Sequence, residues 1–357
     1  MERFRVVVIG AGQAGLALGY HLRRLGLSFL IVDGAAAVGS SWREHWDSLQ
    51  LFTPAQYNAL PGLPFPQPAD TYPGKDEVAD YLQEYAARFA MPVRLSTRVT
   101  GLKRGRGEFL IETEGAQLSA EQVVVATGPF HGPSIPDLAR DLSPEVRQLH
   151  SSGYLNPEAL STGAVLVVGG GNSGAQIAQE LAASRQVYLS QGRRLPVVPP
   201  RLWGRSLFWW LETLGVTKVP ADSALGRRMR GNDDVVIGAR PRELLRAGRL
   251  VLLPRAVGAG GGVVVFADGR RLAVSTVIWA TGYRSDYGWL DLPVLDAEGQ
   301  PVHRRGVSTA AGLYFLGLRW QHTTGSALLG WVGHDAAFIA EQIVKQRERL
   351  SAAVGVL

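Results

Sequence analysis

Two glycine clusters recur in this chain in the same local setting, and that recurrence restricts its possible folds more than any other feature. They are Gly10-Ala11-Gly12-Gln13-Ala14-Gly15 and Gly169-Gly170-Gly171-Asn172-Ser173-Gly174. Each follows a short, β-branched apolar run, residues 5–9 and 164–168, of the kind buried on both faces in parallel sheets. Each opens a helical run, through Leu16, Leu18 and Leu22 in the first and over 173–183 in the second. Each then reaches another apolar strand, 28–32 and 186–190. In such a unit the first glycine permits the tight turn and the second lets a pyrophosphate approach the backbone. The third lets helix and strand pack closely, and the helix start offers free N–H groups and partial positive charge to the phosphates. The expected fold is α/β, with two Rossmann-like dinucleotide-binding domains.

The ends of the second strands differ. Counting 23 residues from Gly10 gives Asp33, placed to bind ribose hydroxyls and to repel a 2′-phosphate. The same count from Gly169 gives Gly192, followed by Arg193 and Arg194, whose guanidiniums suit bidentate phosphate contacts. The first module therefore suits FAD or NAD. The second favours NADPH, with NADH possible. The alternative is that both arginines are ordinary surface residues, since only four of the 37 basic residues are lysines.

The repeat continues beyond the glycines. Residues 93–99 and 108–113 read as meander strands leading into Val123-Val124-Val125-Ala126-Thr127-Gly128. Residues 249–253 and 262–267 lead likewise into Val277-Ile278-Trp279-Ala280-Thr281-Gly282. The spacing from Gly10 to Ala126 is 116 residues, and from Gly169 to Ala280 it is 111. Two similar modules in one chain follow from this. A strand over 312–317 and a helix over 327–343 are expected to return to the first. The second domain, 156–284, would then be inserted in an FAD domain made of 1–155 and 285–357, with hinges over 151–162 and 283–290.

Composition excludes several chemistries. With no cysteine, the chain has no disulfide, Fe–S ligation or thiolate nucleophile. Its seven histidines are dispersed without metal-ligand spacing, so no metal is expected. A net charge of +6 from scattered arginines gives no basic stripe for nucleic acid. No run of 18 apolar residues suggests an integral membrane segment. An apolar strand begins within five residues of Met1, so no signal peptide and a cytoplasmic location are expected. The stretch 203–210, rich in tryptophan, is expected to pack in the core or a substrate lobe, the alternative being a membrane-touching patch.

These motifs, together with Gly39-Ser40-Ser41-Trp42-Arg43 and His150-Ser151-Ser152-Gly153-Tyr154, resemble the flavin-containing monooxygenase family over nearly the whole length. Three places depart from its pattern. Pro144 and Val146 stand where a Phe and a Gly precede the histidine, Tyr154-Leu155 replaces a Trp-Pro, and Pro54 follows Leu51-Phe52-Thr53 where many members carry an active-site asparagine. The resemblance implies that FAD and NADPH are the cofactors and that O2 and a small sulfide, amine or ketone are the substrates. It further implies oxygen transfer through a peroxyflavin, with no protein residue assigned as catalytic. Trp42, Arg43, Thr127, Gly128, Thr281 and Gly282 would join the glycine loops in holding the cofactors, and His150 would link domain closure to cofactor binding. A homodimer is compatible with this reading. The rival readings are an NAD(P)H:flavin oxidoreductase or oxidase without oxygen transfer, and a flavin-bearing regulatory protein.

Overall fold

The apolar runs pair as parallel strands, and their successive residues alternate between two buried faces. The computed structural model describes residues 1–193, 195–231, 235–238 and 241–354. β1 (Glu2–Ile9), α1 (Gln13–Arg24) and β2 (Phe29–Val32) form the first unit, with Val8 opposite Ile31. Val6 and Val8 enter one apolar cluster, and Val7 and Ile9 enter another on the opposite face. Each such fully buried side chain contributes about 2 kcal/mol. This is why residues 6–9 are all apolar.

After α2 (Lys75–Arg88), β3 (Val93–Arg94) extends the sheet beside β2. The strand expected over 93–99 is therefore two pieces. The chain turns at Ser96, φ +49°, before β4 (Val99–Arg104) begins. β4 and β5 (Phe109–Thr113) form an antiparallel meander onto β6 (Gln117–Val125), which lies parallel to β1.

The second unit repeats the first. β9 (Val165–Val168) and β10 (Val187–Ser190), joined by α3 (Asn172–Leu181), lie in a five-stranded parallel sheet. Its order is β11 (Leu250–Leu253), β10, β9, β12 (Thr276–Trp279), β8 (Arg147–His150). Two expectations change here. Residues 249–253, read as meander, instead supply the parallel edge strand β11. The antiparallel meander is built from Ala256–Gly260, Val263–Phe266 and Arg271–Ala273. In addition, β8 lies before the boundary expected at 155, yet it pairs with β12 of the second sheet.

The chain passes between sheets in a two-strand antiparallel ribbon, β7 (Gly132–Pro133) against β13 (Tyr283–Arg284). One crossing thus falls near 132 rather than in the 151–162 hinge. There Tyr154 is fully buried, and its hydroxyl donates to Glu180 Oε2 at 2.7 Å. The tail returns to the first sheet. β14 (Leu290–Asp291) pairs with β4, β15 (Leu313–Phe315) lies parallel to β6, and α5 (Val332–Val354) packs on α1. The helix expected from 327 starts five residues later, at Val332, and just before it Gly330 is pressed against the 53–58 loop. A β-carbon at Gly330 would lie 1.9 Å from the Tyr57 carbonyl oxygen. Among the described residues, no helix is long and apolar enough to cross a membrane.

Candidate functional site

The two glycine loops have matching geometry. Gly10 N–H donates to Val32 O at 2.8 Å, and Gly169 N–H donates to Ser190 O at 2.9 Å. Gly10 has φ +112° and Gly169 φ +111°, values that L side chains rarely adopt. A β-carbon would lie 2.5 Å from Ala126 O at Gly10 and 2.2 Å from Ala280 O at Gly169. Gly15 and Gly174 permit close packing, since a β-carbon at either would lie 1.9 Å from the carbonyl oxygen of the first glycine of its loop. At Gly12 and Gly171, by contrast, a β-carbon would meet nothing within 4 Å. Protein contacts therefore account for the outer glycines but not for the middle ones. Each middle glycine caps the N-terminus of α1 or α3 with no side-chain hydrogen bond. This arrangement leaves open backbone at a positive helix end and fits a diphosphate in both modules.

The residues around each loop hold it in shape. Asp33 receives the Ala11 N–H at 2.6 Å on Oδ2 and the Ala35 N–H at 2.8 Å on Oδ1, so its carboxylate latches the first loop. At the matching place in the second module stands Gly192, and Gln191 lies against Gly170 instead. Gln13 and Asn172, equivalent third residues after the first glycine, both clamp remote segments. Gln13 Nε2 donates to Ala327 O at 2.8 Å, while Asn172 donates to Val235 O at 3.0 Å and accepts from Ile237 N at 2.9 Å. Ser173 is half-buried in the first turn of α3.

The two Thr-Gly pairs precede the two strands of the ribbon. Gly128 has φ +72° and Gly282 φ +84°. Thr127 Oγ1 bonds His131 Nε2 at 3.0 Å, and His131 Nδ1 accepts the Asp286 N–H at 2.8 Å. The Thr281 hydroxyl donates to Ser134 O. Gly282 O accepts both the Ser134 N–H and His150 Nε2–H at 2.9 Å. His150 thus joins β8 to the crossing segment, as a structural hydrogen-bond partner does. His131, which the sequence did not single out, ties the first pair to the residues after the second.

Other residues singled out have partners within the protein. The Arg43 guanidinium pairs with Asp76 at 3.3 Å and with Asp80, both on α2. Trp42 is half-buried, facing His45 with ring centroids 6.2 Å apart. Asn58, near the position of the family asparagine, is buried and spends its amide on Thr53 and Pro54 carbonyls, which locks its own loop. Arg193 is exposed at the end of β10, and Arg194 lies outside the described residues. The structure adds Arg255, whose Nε and a terminal nitrogen lie 3.1 Å from where a Gly192 β-carbon would sit. No spacing in the sequence connects Arg255 to Gly192; parallel pairing of β10 with β11 does.

A pocket of about 190 Å³ is lined by Gln56, Tyr57, Glu212, Gly330, Trp331 and His334. Its apolar wall is an aromatic cluster. Tyr57 stacks on Trp331 at 6.0 Å, and Phe208, from α4 (Leu207–Thr213), lies 5.7 Å from Trp331 and 5.9 Å from Phe52. The Trp331 indole and the Thr217 hydroxyl both donate to Glu212 Oε1. Burial holds the Tyr57 phenol above its ordinary value, opposed by a Ser206 hydrogen bond and reinforced by Glu212. The pocket adjoins the segment that Gln13 ties to the first glycine loop.

Six histidines (His21, His45, His131, His150, His303 and His322) are held below the ordinary imidazole value of 6.5, each chiefly by burial. The folded chain therefore binds protons less readily than the unfolded chain. Stability from this source is full above the unfolded value and is lost as pH falls through it toward the lowered folded values. The expected result is a Tm that holds near pH 7.5 and declines steadily from about pH 6.5 to 5. A flat profile in differential scanning fluorimetry over that window would count against it.

The profile described as pyridine nucleotide-disulphide oxidoreductase matches residues 7–194, just over half of the chain. With no cysteine, the chain carries the fold behind that description but no dithiol. An "uncharacterized oxidoreductase CzcO-like" from Geobacillus kaustophilus is 46% identical, covering 95% of this chain and 98% of its own. A "probable indole-3-pyruvate monooxygenase", YUCCA3 of Arabidopsis thaliana, is 30% identical over 97% of this chain and 90% of its own. The solved flavin-containing monooxygenase of Stenotrophomonas maltophilia is 30% identical, with a TM-score of 0.80 over 97% of this chain and 99% of that one. The matched glycine loops, the nested sheets and these full-length similarities together place the chain among the oxidoreductases of the flavin-containing monooxygenase family.

Proposed function

We propose that the protein is an NADPH-dependent FAD monooxygenase acting on a small sulfide, amine or ketone. The observation that carries this reading is the pair of open middle glycines, Gly12 and Gly171, each at a helix N-terminus in an otherwise closely packed loop. FAD, when bound, supplies hydride acceptance and O2 activation, so that one oxygen atom enters the substrate and the other leaves as water.

The chain's own residues bind, orient and shield. N–H groups at the start of α1 would hold the FAD diphosphate. Asp33 would keep that loop latched while offering its remaining lone pairs to ribose hydroxyls. The second loop would hold the NADPH diphosphate, with Arg193 and Arg255 meeting the 2′-phosphate. The β7–β13 ribbon, fastened by His131 and Ser134, would set the spacing between modules. Tyr57, Phe208 and Trp331 would exclude water from the substrate side.

The test is anaerobic reduction by NADPH, followed by O2 and a panel of sulfides, amines and ketones. Oxygenated product in step with NADPH consumed is expected. Stoichiometric H2O2 without product would falsify oxygen transfer and favour the oxidase reading. Flavin that neither nicotinamide reduces would favour a regulatory protein.

A further inference from the structure

The tryptophan-rich stretch packs inward only in part: Ser206 and Phe208 are buried, Phe208 joins the aromatic wall of the pocket, and the hairpin tip before them is exposed. Residues 201–206 form a hairpin whose two-residue turn, Trp203-Gly204, has φ +47° and +76°. That turn normally takes Asn-Gly, and an aromatic residue at its first position is strained. Trp203 is nevertheless 86% exposed. Its ring meets Trp210 edge-on at 5.5 Å, Trp210 meets Trp209 at 4.7 Å, and the Arg205 guanidinium lies over Trp209 at 5.3 Å. Leu214, one turn beyond Trp210, is 70% exposed. Across 195–231 the basic residues are Arg201, Arg205, Lys218, Arg227, Arg228 and Arg230. The acids are Glu212, turned inward to Trp331, and Asp222.

We infer that this face docks peripherally on an anionic lipid bilayer. Trp203 and Leu214 enter the headgroup boundary, and Arg205 and Lys218 meet lipid phosphates. Tryptophan combines an apolar body with a polar N–H and concentrates at that boundary, and nearby cations add attraction to anionic lipid. A second copy of the chain fits less well, because a twofold contact would set these cations against their own copies. The inner face of α4, through Phe208 and Glu212, walls the pocket, so docking would place the pocket directly behind the bilayer contact.

The test is co-sedimentation of the flavin-loaded protein with vesicles of phosphatidylglycerol and phosphatidylcholine, beside vesicles of phosphatidylcholine alone. Binding to the anionic vesicles is expected, weakening about tenfold or more between roughly 50 and 500 mM salt. Trp203→Asn suits the turn, so it should keep Tm and flavin content while partition falls about tenfold. Arg205→Gln with Lys218→Gln should remove the preference for anionic lipid. Failure to sediment with anionic vesicles, or equal binding by wild type and both variants, would overturn the inference. So would a concentration-dependent dimer in ultracentrifugation that Trp203→Asn abolishes.

Discussion

A Gly12→Ala variant folds with the Tm of wild-type apoprotein but is isolated with little flavin, whereas Gly15→Ala loses stability before any cofactor is added. The difference follows from what each new methyl meets. At Gly12, φ −76°, it meets nothing within 4 Å, so only a ligand pressed against that backbone can feel it. Displacing a diphosphate by one methyl should weaken FAD binding about ten- to hundredfold, by analogy with overpacking costs of about 1–3 kcal/mol. At Gly15 the methyl would sit 1.9 Å from Gly10 O, and strand and helix must part. A loss of about 3 kcal/mol, roughly 5–10 °C in Tm, is expected there. The second module should repeat the contrast. Gly171→Ala gives a yellow protein that NADPH no longer reduces efficiently, and Gly174→Ala gives an unstable one. Flavin absorbance and apoprotein Tm check both pairs. A Gly12→Ala protein that retains full flavin, or one as unstable as Gly15→Ala, would remove the diphosphate assignment.

The second large effect concerns the end of β10. Arg255→Ala should lower kcat/KM for NADPH about 10- to 100-fold, the worth of one lost charge-assisted hydrogen bond, while NADH changes less than about twofold. Arg193→Ala should act in the same direction. Gly192→Asp puts a carboxylate where the first module has Asp33, against the Arg255 guanidinium, and should shift preference toward NADH. Steady-state kinetics with both nicotinamides decide the matter. Equal losses with NADH and NADPH in the arginine variants would mean that these residues support the fold and not the 2′-phosphate.

Much of the architecture was legible because it rests on local chemistry. Strand, turn and helix around each loop are contiguous, and their apolar residues, such as Val7 and Val8, must be buried whichever face they point to. The meander and hinge boundaries were less legible. The apolar run at 249–253 serves equally well in a meander or a parallel sheet, and only its partner, β10, decides. Just before α5, Gly330 meets the Tyr57 carbonyl, a contact between residues 273 positions apart that local sequence does not encode.

The site divides in the same way. Sequence alone determined that two glycine loops each open a helix and that an acid ends one second strand and not the other, because a turn and its helix occupy a few consecutive residues. Tertiary structure alone decided that Gln13 and Asn172 clamp distant segments, that Arg43 pairs with α2, and that Arg255 joins Gly192. It also decided that Trp203 faces solvent. Long side chains reach whichever neighbour the packing of remote strands and helices brings near, and linear spacing does not encode that neighbour.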